Sequence, residues 1–205
     1  MKKNYDRYNH LDAGSYEKKT LLSMLIGEKC DKIIGEVISG IKNKKILELG
    51  CGTGRYTKMC YKDNDIKCID INPHLFELGK VPVIKGNVTE LDNLLSKDER
   101  FDYITSFWMS EYLTEKELAQ TLTLSGKFLK PNGLIIFTFI SNGLIGRLYI
   151  TGAKIKGIPK YKYNNEKIYR IVENAGLEIV ENIPVKRFGF ELGKLVVLKA
   201  TNIHE

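Results

Sequence analysis

Three glycines at alternate positions, Gly50, Gly52 and Gly54, lie between two acids, with Glu48 just ahead of them and Asp70 20 residues after the first. The stretch 44–54 reads KKILELGCGTG, and its apolar residues Ile46, Leu47 and Leu49 stop at the glycines. That is the pattern of a buried parallel strand entering a tight turn before a helix. Residues without a Cβ adopt positive φ and let backbone come close to a ligand, so alternate glycines after a strand point to a nucleotide-like ligand over the turn. A dinucleotide fingerprint would need a third glycine where Arg55 stands, and that reading fails. The Glu48 carboxylate at the end of the strand suits a cationic ligand better than a pyrophosphate. Asp70 closes the next apolar run, 65–71, where a carboxylate accepts both hydroxyls of a ribose.

Together Glu48, Gly50, Cys51, Gly52, Gly54 and Asp70 resemble the first two motifs of the class I S-adenosylmethionine-dependent methyltransferases. The resemblance implies that the glycine turn packs on the methionyl part of S-adenosyl-L-methionine, that Asp70 binds the ribose and that Glu48 helps hold the cationic end. It also implies cofactor contacts from Ile71, Val88 and Phe107, with Tyr8 in the N-terminal lead as a cover. Where the family usually has an aspartate this chain has Asn87, whose carbonyl also accepts a hydrogen bond from an adenine amino group; the alternative is a cap on the helix expected near Thr89.

The implied reaction is transfer of the methyl group to a small-molecule O or N nucleophile by direct in-line displacement, leaving S-adenosyl-L-homocysteine. Alignment of the reactants supplies much of the rate in such a step, on the order of 7–11 kcal/mol in well-aligned systems, and few catalytic side chains are obligatory. The family often reads Glu-His where this chain has Glu111 and Tyr112, so a histidine base is missing there. Glu111, Tyr112 and His10 are the remaining candidates for a base, and Glu111 could instead orient an amine. Two alternatives stay open, an RNA methyltransferase and a cofactor-binding protein that does not catalyse. Against the first, no Asp/Asn-Pro-Pro-aromatic segment follows the fourth expected strand and no cysteine follows a proline.

These residues need a scaffold, and 205 residues suffice for one domain, 1–205, with an N-terminal helical cover over 1–42 and a lid-like insertion over 141–163. Hydrophobic residues at 43% and charged residues at 28% exclude a disordered composition. The net charge of +7 comes from lysines spread among glutamates, which argues against a nucleic-acid partner. Cys30, Cys51, Cys60 and Cys68 form no Cys-x-x-Cys pair, so reduced thiols and no metal site are expected. Apolar runs too short to span a bilayer predict a cytoplasmic protein, a monomer or homodimer.

Periodicity predicts helix within 16–41, a crossover helix over 53–61, a helix opened by Asn72 and Pro73, and strands at 81–85 and 101–106. A helix marked by Leu118, Leu122, Ser125 and Leu129 should end in the turn 130–133 before a strand over 134–140. A last helix from Asn164 to Gly176 should precede an antiparallel pair of strands, 177–183 and 194–200, at the sheet edge. The resemblance implies an α/β, Rossmann-like, seven-stranded and mostly parallel sheet flanked by helices, with the last strand antiparallel. The insertion mixes Leu144, Ile145, Leu148, Tyr149 and Ile150 with Arg147, Lys154, Lys156, Lys160 and Lys162. It reads as a lid over the acceptor, a connector, or a surface for peripheral membrane contact. In position and in its mix of residues it is loosely similar to the same region of the ubiquinone-biosynthesis O-methyltransferases.

Overall fold

The computed structural model describes residues 31–155, 160–187 and 189–201. Seven strands form one sheet: β1 (Lys45–Leu49), β2 (Asp65–Asp70), β3 (Val83–Lys85), β4 (Phe101–Ser106), β5 (Leu129–Ile140), β6 (Leu177–Arg187) and β7 (Phe190–Ala200). Their order is β3-β2-β1-β4-β5-β7-β6, with parallel pairing from β3 through β5 and β7 antiparallel to both neighbours. The order reverses between β1 and β4, and ligands of open α/β sheets bind beyond the strand ends at such a point.

Side chains alternate across the sheet and both faces of its centre are covered, which is why β5 reads as an almost unbroken apolar run from Leu134 to Ile140. Leu47, Leu49, Ile69, Ile135, Phe137, Val196 and Leu198 pack on one face against helices α2 (Glu115–Lys127) and α4 (Asn165–Asn174). Ile46, Cys68, Ile136, Leu195 and Val197 pack on the other, against Ile34 and Ile38 of α1, residues 31–38, and against Ile145, Tyr149 and Ile150 of α3 (Leu144–Ile155). Glu48 shares the α1 face with Ile46, two residues away. Helix α2 starts on a reciprocal cap, in which Thr114 accepts from the Glu117 backbone and the Glu117 side chain accepts from the Thr114 backbone. Asn164 caps α4 through the Lys167 N–H, and Gly176, at φ 71°, follows its end.

Several sequence expectations change. The crossover 53–61 is not an α-helix but two 3₁₀ turns, Thr57–Met59 and Tyr61–Asp63. Gly54 is held at φ 80°, and the Thr57 hydroxyl is spent on Glu48. Asn72 and Pro73 open only the 3₁₀ turn Pro73–Leu75, because Gly79 and Pro82 follow too soon for a helix. The third strand is shorter than expected, and the helix near Thr89 is a 3₁₀ turn, Val88–Glu90, running into one α-turn, Leu91–Leu94. Pairing of β5 begins at Leu129, before the expected turn; the segment from Lys130 to Gly133 is a bulge with Asn132 at φ 63°. Strands β6 and β7 extend further than predicted, and Pro184 is tolerated because β6 is an edge strand. Among the described residues no helix is long and apolar enough to cross a membrane.

Candidate active site

The β1 strand delivers its chain into a turn in which Gly50, Gly52 and Gly54 all have positive φ, 72°, 52° and 80°. An L side chain rarely adopts this conformation, so the alternation of glycines is a backbone requirement. A Cβ placed on Gly50 would lie 2.5 Å from Met109 Cγ, and one on Gly54 2.8 Å from Phe76 Cε2. At Gly52 the same Cβ would meet none of the described residues within 4 Å, so among them the turn is open on that side.

Asp70 holds this turn from the end of β2. Its Oδ2 accepts from the Gly52 N–H at 2.8 Å and its Oδ1 from the Asn72 N–H at 2.7 Å. A carboxylate oxygen has two acceptor positions, so each retains one for a ligand hydroxyl. Ile71, half-buried, follows it directly.

Glu48 is 4% exposed, and its Oε2 accepts from Thr57 Oγ1 at 2.6 Å. Burial pushes its pKa up from the ordinary 4.5 to about 7; the Thr57 hydrogen bond pulls down and the nearby Asp70 charge pushes up. It is therefore a carboxyl poised between charge states beside a second acid, Asp70, a site that favours a cation. Cys51, Cys60 and Cys68 are free thiols, and Cys30 lies outside the described residues. Burial first, then the Glu48 charge, pushes the Cys60 thiol up to about 12, away from the reactive range.

Asn87 accepts from the Thr89 N–H at 3.1 Å, so its side-chain oxygen caps the turn that follows β3 and keeps one acceptor position. Val88, the first residue of that turn, is buried among core residues. Phe107, beyond β4, is buried with its ring 5.0 Å from that of Tyr56. The next residues are fixed to β5: Trp108, at φ 55°, donates its N–H to Thr138 Oγ1 at 2.7 Å, and Ser110 Oγ donates to the Thr138 carbonyl at 2.7 Å.

Glu111 lies in the 3₁₀ turn Ser110–Tyr112 and is 2% exposed. Its Oε1 accepts from the Tyr149 hydroxyl of α3 at 2.9 Å and from the Lys160 ammonium, while its buried Oε2 has no hydrogen-bond partner among the described residues. Lys160 lies over the rings of Tyr112 and Tyr149, 4.7 and 4.6 Å from their centroids. Burial alone would lower the Lys160 pKa, but the Glu111 charge beside it raises it above the ordinary value, so the lysine is a fixed cation. Burial, and then Glu111, pushes the Tyr149 phenol well above its usual range.

The structure thus brings Glu48, Gly50, Cys51, Gly52, Gly54 and Asp70 together at the ends of β1 and β2, and sets Asn87, Phe107, Glu111 and Tyr112 on the turns beyond β3 and β4. His10 and Tyr8 lie outside the described residues. Sequence reasoning missed Thr57, Tyr149 and Lys160 as site residues. A Glu-Thr pair nine residues apart carries no periodic signal, and Lys160 is one of several lysines in its segment.

A family model described as a methyltransferase domain matches residues 25–182. The chain belongs to this family. Among curated relatives, the ubiquinone biosynthesis O-methyltransferase of Vibrio atlanticus (strain LGP32) is 24% identical over 166 residues, 75% of this chain and 68% of that protein. The malonyl-[acyl-carrier protein] O-methyltransferase of Priestia megaterium (strain DSM 319 / IMG 1521) is 25% identical, covering 97% of this chain and 73% of that one. Other relatives extend further beyond it, and the chain spans as little as 51% of one. The fold of the magnesium protoporphyrin IX methyltransferase from Synechocystis PCC 6803, solved with bound SAM, superposes with a TM-score of 0.71 at 8% identity over 97% of both chains. This methyltransferase domain thus has the seven-stranded fold of enzymes that use S-adenosylmethionine.

Proposed function

We propose that this methyltransferase binds S-adenosyl-L-methionine over the turn 50–54 and transfers its methyl group to an O or N nucleophile of a small molecule, releasing S-adenosyl-L-homocysteine. The observation that carries the reading is Asp70, which pins Gly52 and Asn72 and still keeps acceptor positions for two ribose hydroxyls. The open side of Gly52 and the half-titrated, buried Glu48 fit the amino-acid end of such a cofactor, whose positive charge would draw Glu48 to its ionised form. Asn87 keeps an acceptor for an adenine amino group.

When bound, the cofactor supplies a methyl group already activated as a sulfonium, so the S–CH₃ bond breaks as the nucleophile–CH₃ bond forms. The chain's part is alignment and exclusion of water, which is where most of the barrier reduction arises. Glu111 is engaged by Lys160 and Tyr149, which suits it to orienting an acceptor rather than to taking its proton. The two relatives named above are O-methyltransferases, which favours an oxygen nucleophile.

The outer face of α3 supports a lipophilic or amphiphilic acceptor. Leu144, Leu148 and Ile155 are 59%, 60% and 82% exposed. At about 100° per residue they fall within about 40° of arc, with Arg147 and Lys154 together on one flank and no acid in the helix. Such a stripe suits peripheral contact with an anionic bilayer.

Calorimetric titration tests the cofactor reading: S-adenosylmethionine and S-adenosylhomocysteine should both bind, and Asp70→Ala should weaken each by roughly 1–3 kcal/mol, the cost of a lost charged acceptor in a desolvated site. Equal affinity for wild type and Asp70→Ala would place the cofactor elsewhere. A methyl-release assay against fractionated small-molecule extract then separates an enzyme from a binding protein.

A further inference from the structure

The described parts of the insertion, α3 and residues 160–163, both reach one buried side chain, Glu111. Beyond β5, α3 runs out and the chain returns at residues 160–163, where the Tyr161 N–H donates to the Glu111 carbonyl at 2.7 Å and the Tyr163 N–H to the Ile140 carbonyl at 2.8 Å. The Tyr163 hydroxyl donates to the Leu113 carbonyl at 2.6 Å. This return strip lies between the end of β5 and the turn beyond β4, the side on which open α/β sheets place their ligands. The first half of α3 is docked by Gly146, where an added Cβ would lie 2.1 Å from the Ser141 carbonyl oxygen. Its middle is held by Tyr149 on Glu111.

Three parts of the chain therefore meet on Glu111 Oε1: the turn beyond β4, α3 through Tyr149, and the return strip through Lys160. The Lys160 and Glu111 side chains are 6% and 2% exposed, so water does not share their charges. Because Glu111 Oε2 has no hydrogen-bond partner among the described residues, the carboxylate depends on Lys160 and Tyr149. A buried charge that loses its partner must find water, and here the elements that can move to admit it are α3 and the return strip.

We propose that Lys160 and Tyr149 are positioning residues that, through Glu111, clamp α3 across the acceptor side of the site, independently of the cofactor turn. The clamp rests on the methyl-transfer reading only for what it encloses. With Glu111 and Lys160 both present the pair carries no net charge, so each side chain answers the other's buried charge. Removing both charges should keep the clamp closed, whereas removing one should open it.

The test uses the full chain and trypsin. Arg147 and Lys154 are exposed on α3, and the initial rate of cleavage after them, read by mass spectrometry under native conditions, reports how often the helix opens. Lys160→Met should raise that rate at least tenfold, and Lys160→Met with Glu111→Gln should return it to within threefold of wild type. S-adenosylhomocysteine, titrated into each, should bind within threefold of the wild-type affinity. Tyr149→Phe, which removes only a hydroxyl, should accelerate cleavage three- to tenfold and serves if Lys160→Met does not fold. Wild-type cleavage rates in both Lys160→Met and Tyr149→Phe, or a double variant cut as fast as Lys160→Met, overturn the clamp. Loss of S-adenosylhomocysteine binding in folded Lys160→Met overturns its independence from the cofactor turn. Failure of the wild-type chain itself to bind that product sinks the methyl-transfer reading, while the cleavage rates still decide the clamp.

Discussion

Glu48→Gln should make this protein more stable and a weaker cofactor binder. The wild-type carboxyl is 4% exposed, and burial raises its pKa from 4.5 to about 7. Between these values the folded chain keeps a proton that the unfolded chain has released, so stability falls as pH rises through the window, and the loss is complete above pH 7. At about 1.4 kcal/mol per pKa unit the penalty at pH 8 is roughly 3 kcal/mol. Glutamine imitates the protonated carboxyl and can still accept from Thr57, so urea unfolding should show the variant more stable by about 3 kcal/mol at pH 8 and nearly equal at pH 4.5. Glu99 and Asp102 act in the opposite direction. Burial would raise them, but Lys67 and Lys45 on Glu99, and Lys130 on Asp102, hold both below the ordinary carboxylate range, and their support is lost as pH falls. They are common to both proteins and cancel in the difference. Binding supplies the second readout. At pH 6.5 about three quarters of Glu48 is protonated, so S-adenosylmethionine should displace up to about three quarters of a proton, measurable by calorimetry in buffers of different ionisation enthalpy. The glutamine variant should release none and bind at least about tenfold more weakly, a loss of about 1.4 kcal/mol. The same pH dependence of stability in wild type and Glu48→Gln from pH 4.5 to 8, or unaltered affinity in Glu48→Gln, would refute this account of the site.

Gly50→Ala must hold a side chain at φ 72° with its Cβ 2.5 Å from Met109 Cγ, and thermal unfolding should show a loss of at least about 1–2 kcal/mol. On α3 two glycines should respond in opposite ways: Gly152→Ala, with open space around it, should stabilise the helix by about 0.5–1 kcal/mol, whereas Gly146→Ala should undock it and speed tryptic cleavage at Arg147. Wild-type protein should co-sediment with anionic phospholipid vesicles at low salt and be released by high salt, and Leu148→Ser with Ile155→Ser should abolish this; protein that stays in the supernatant leaves α3 as a lid only.

What was legible in the sequence is what short-range spacing encodes. The apolar run of β1 ending at Gly50, the acid closing β2, the strand Phe101–Ser106 and the cap Asn164 each depend on a few consecutive residues, and the structure has them where the spacing puts them. The crossover 53–61 was read wrongly because its helical pattern was judged by spacing alone, whereas Gly54 at positive φ and the Thr57 hydroxyl answer to groups outside the segment. The family's segments were identifiable because a backbone requirement, three glycines at positive φ, leaves a mark in residue type. No such mark accompanies the charge state of Glu48, which comes from burial against the α1 face of the sheet, or the partner of Glu111, which lies 49 residues away. One lysine among many is indistinguishable until the chain folds, because a sequence lists charges while only the tertiary structure removes the water between them.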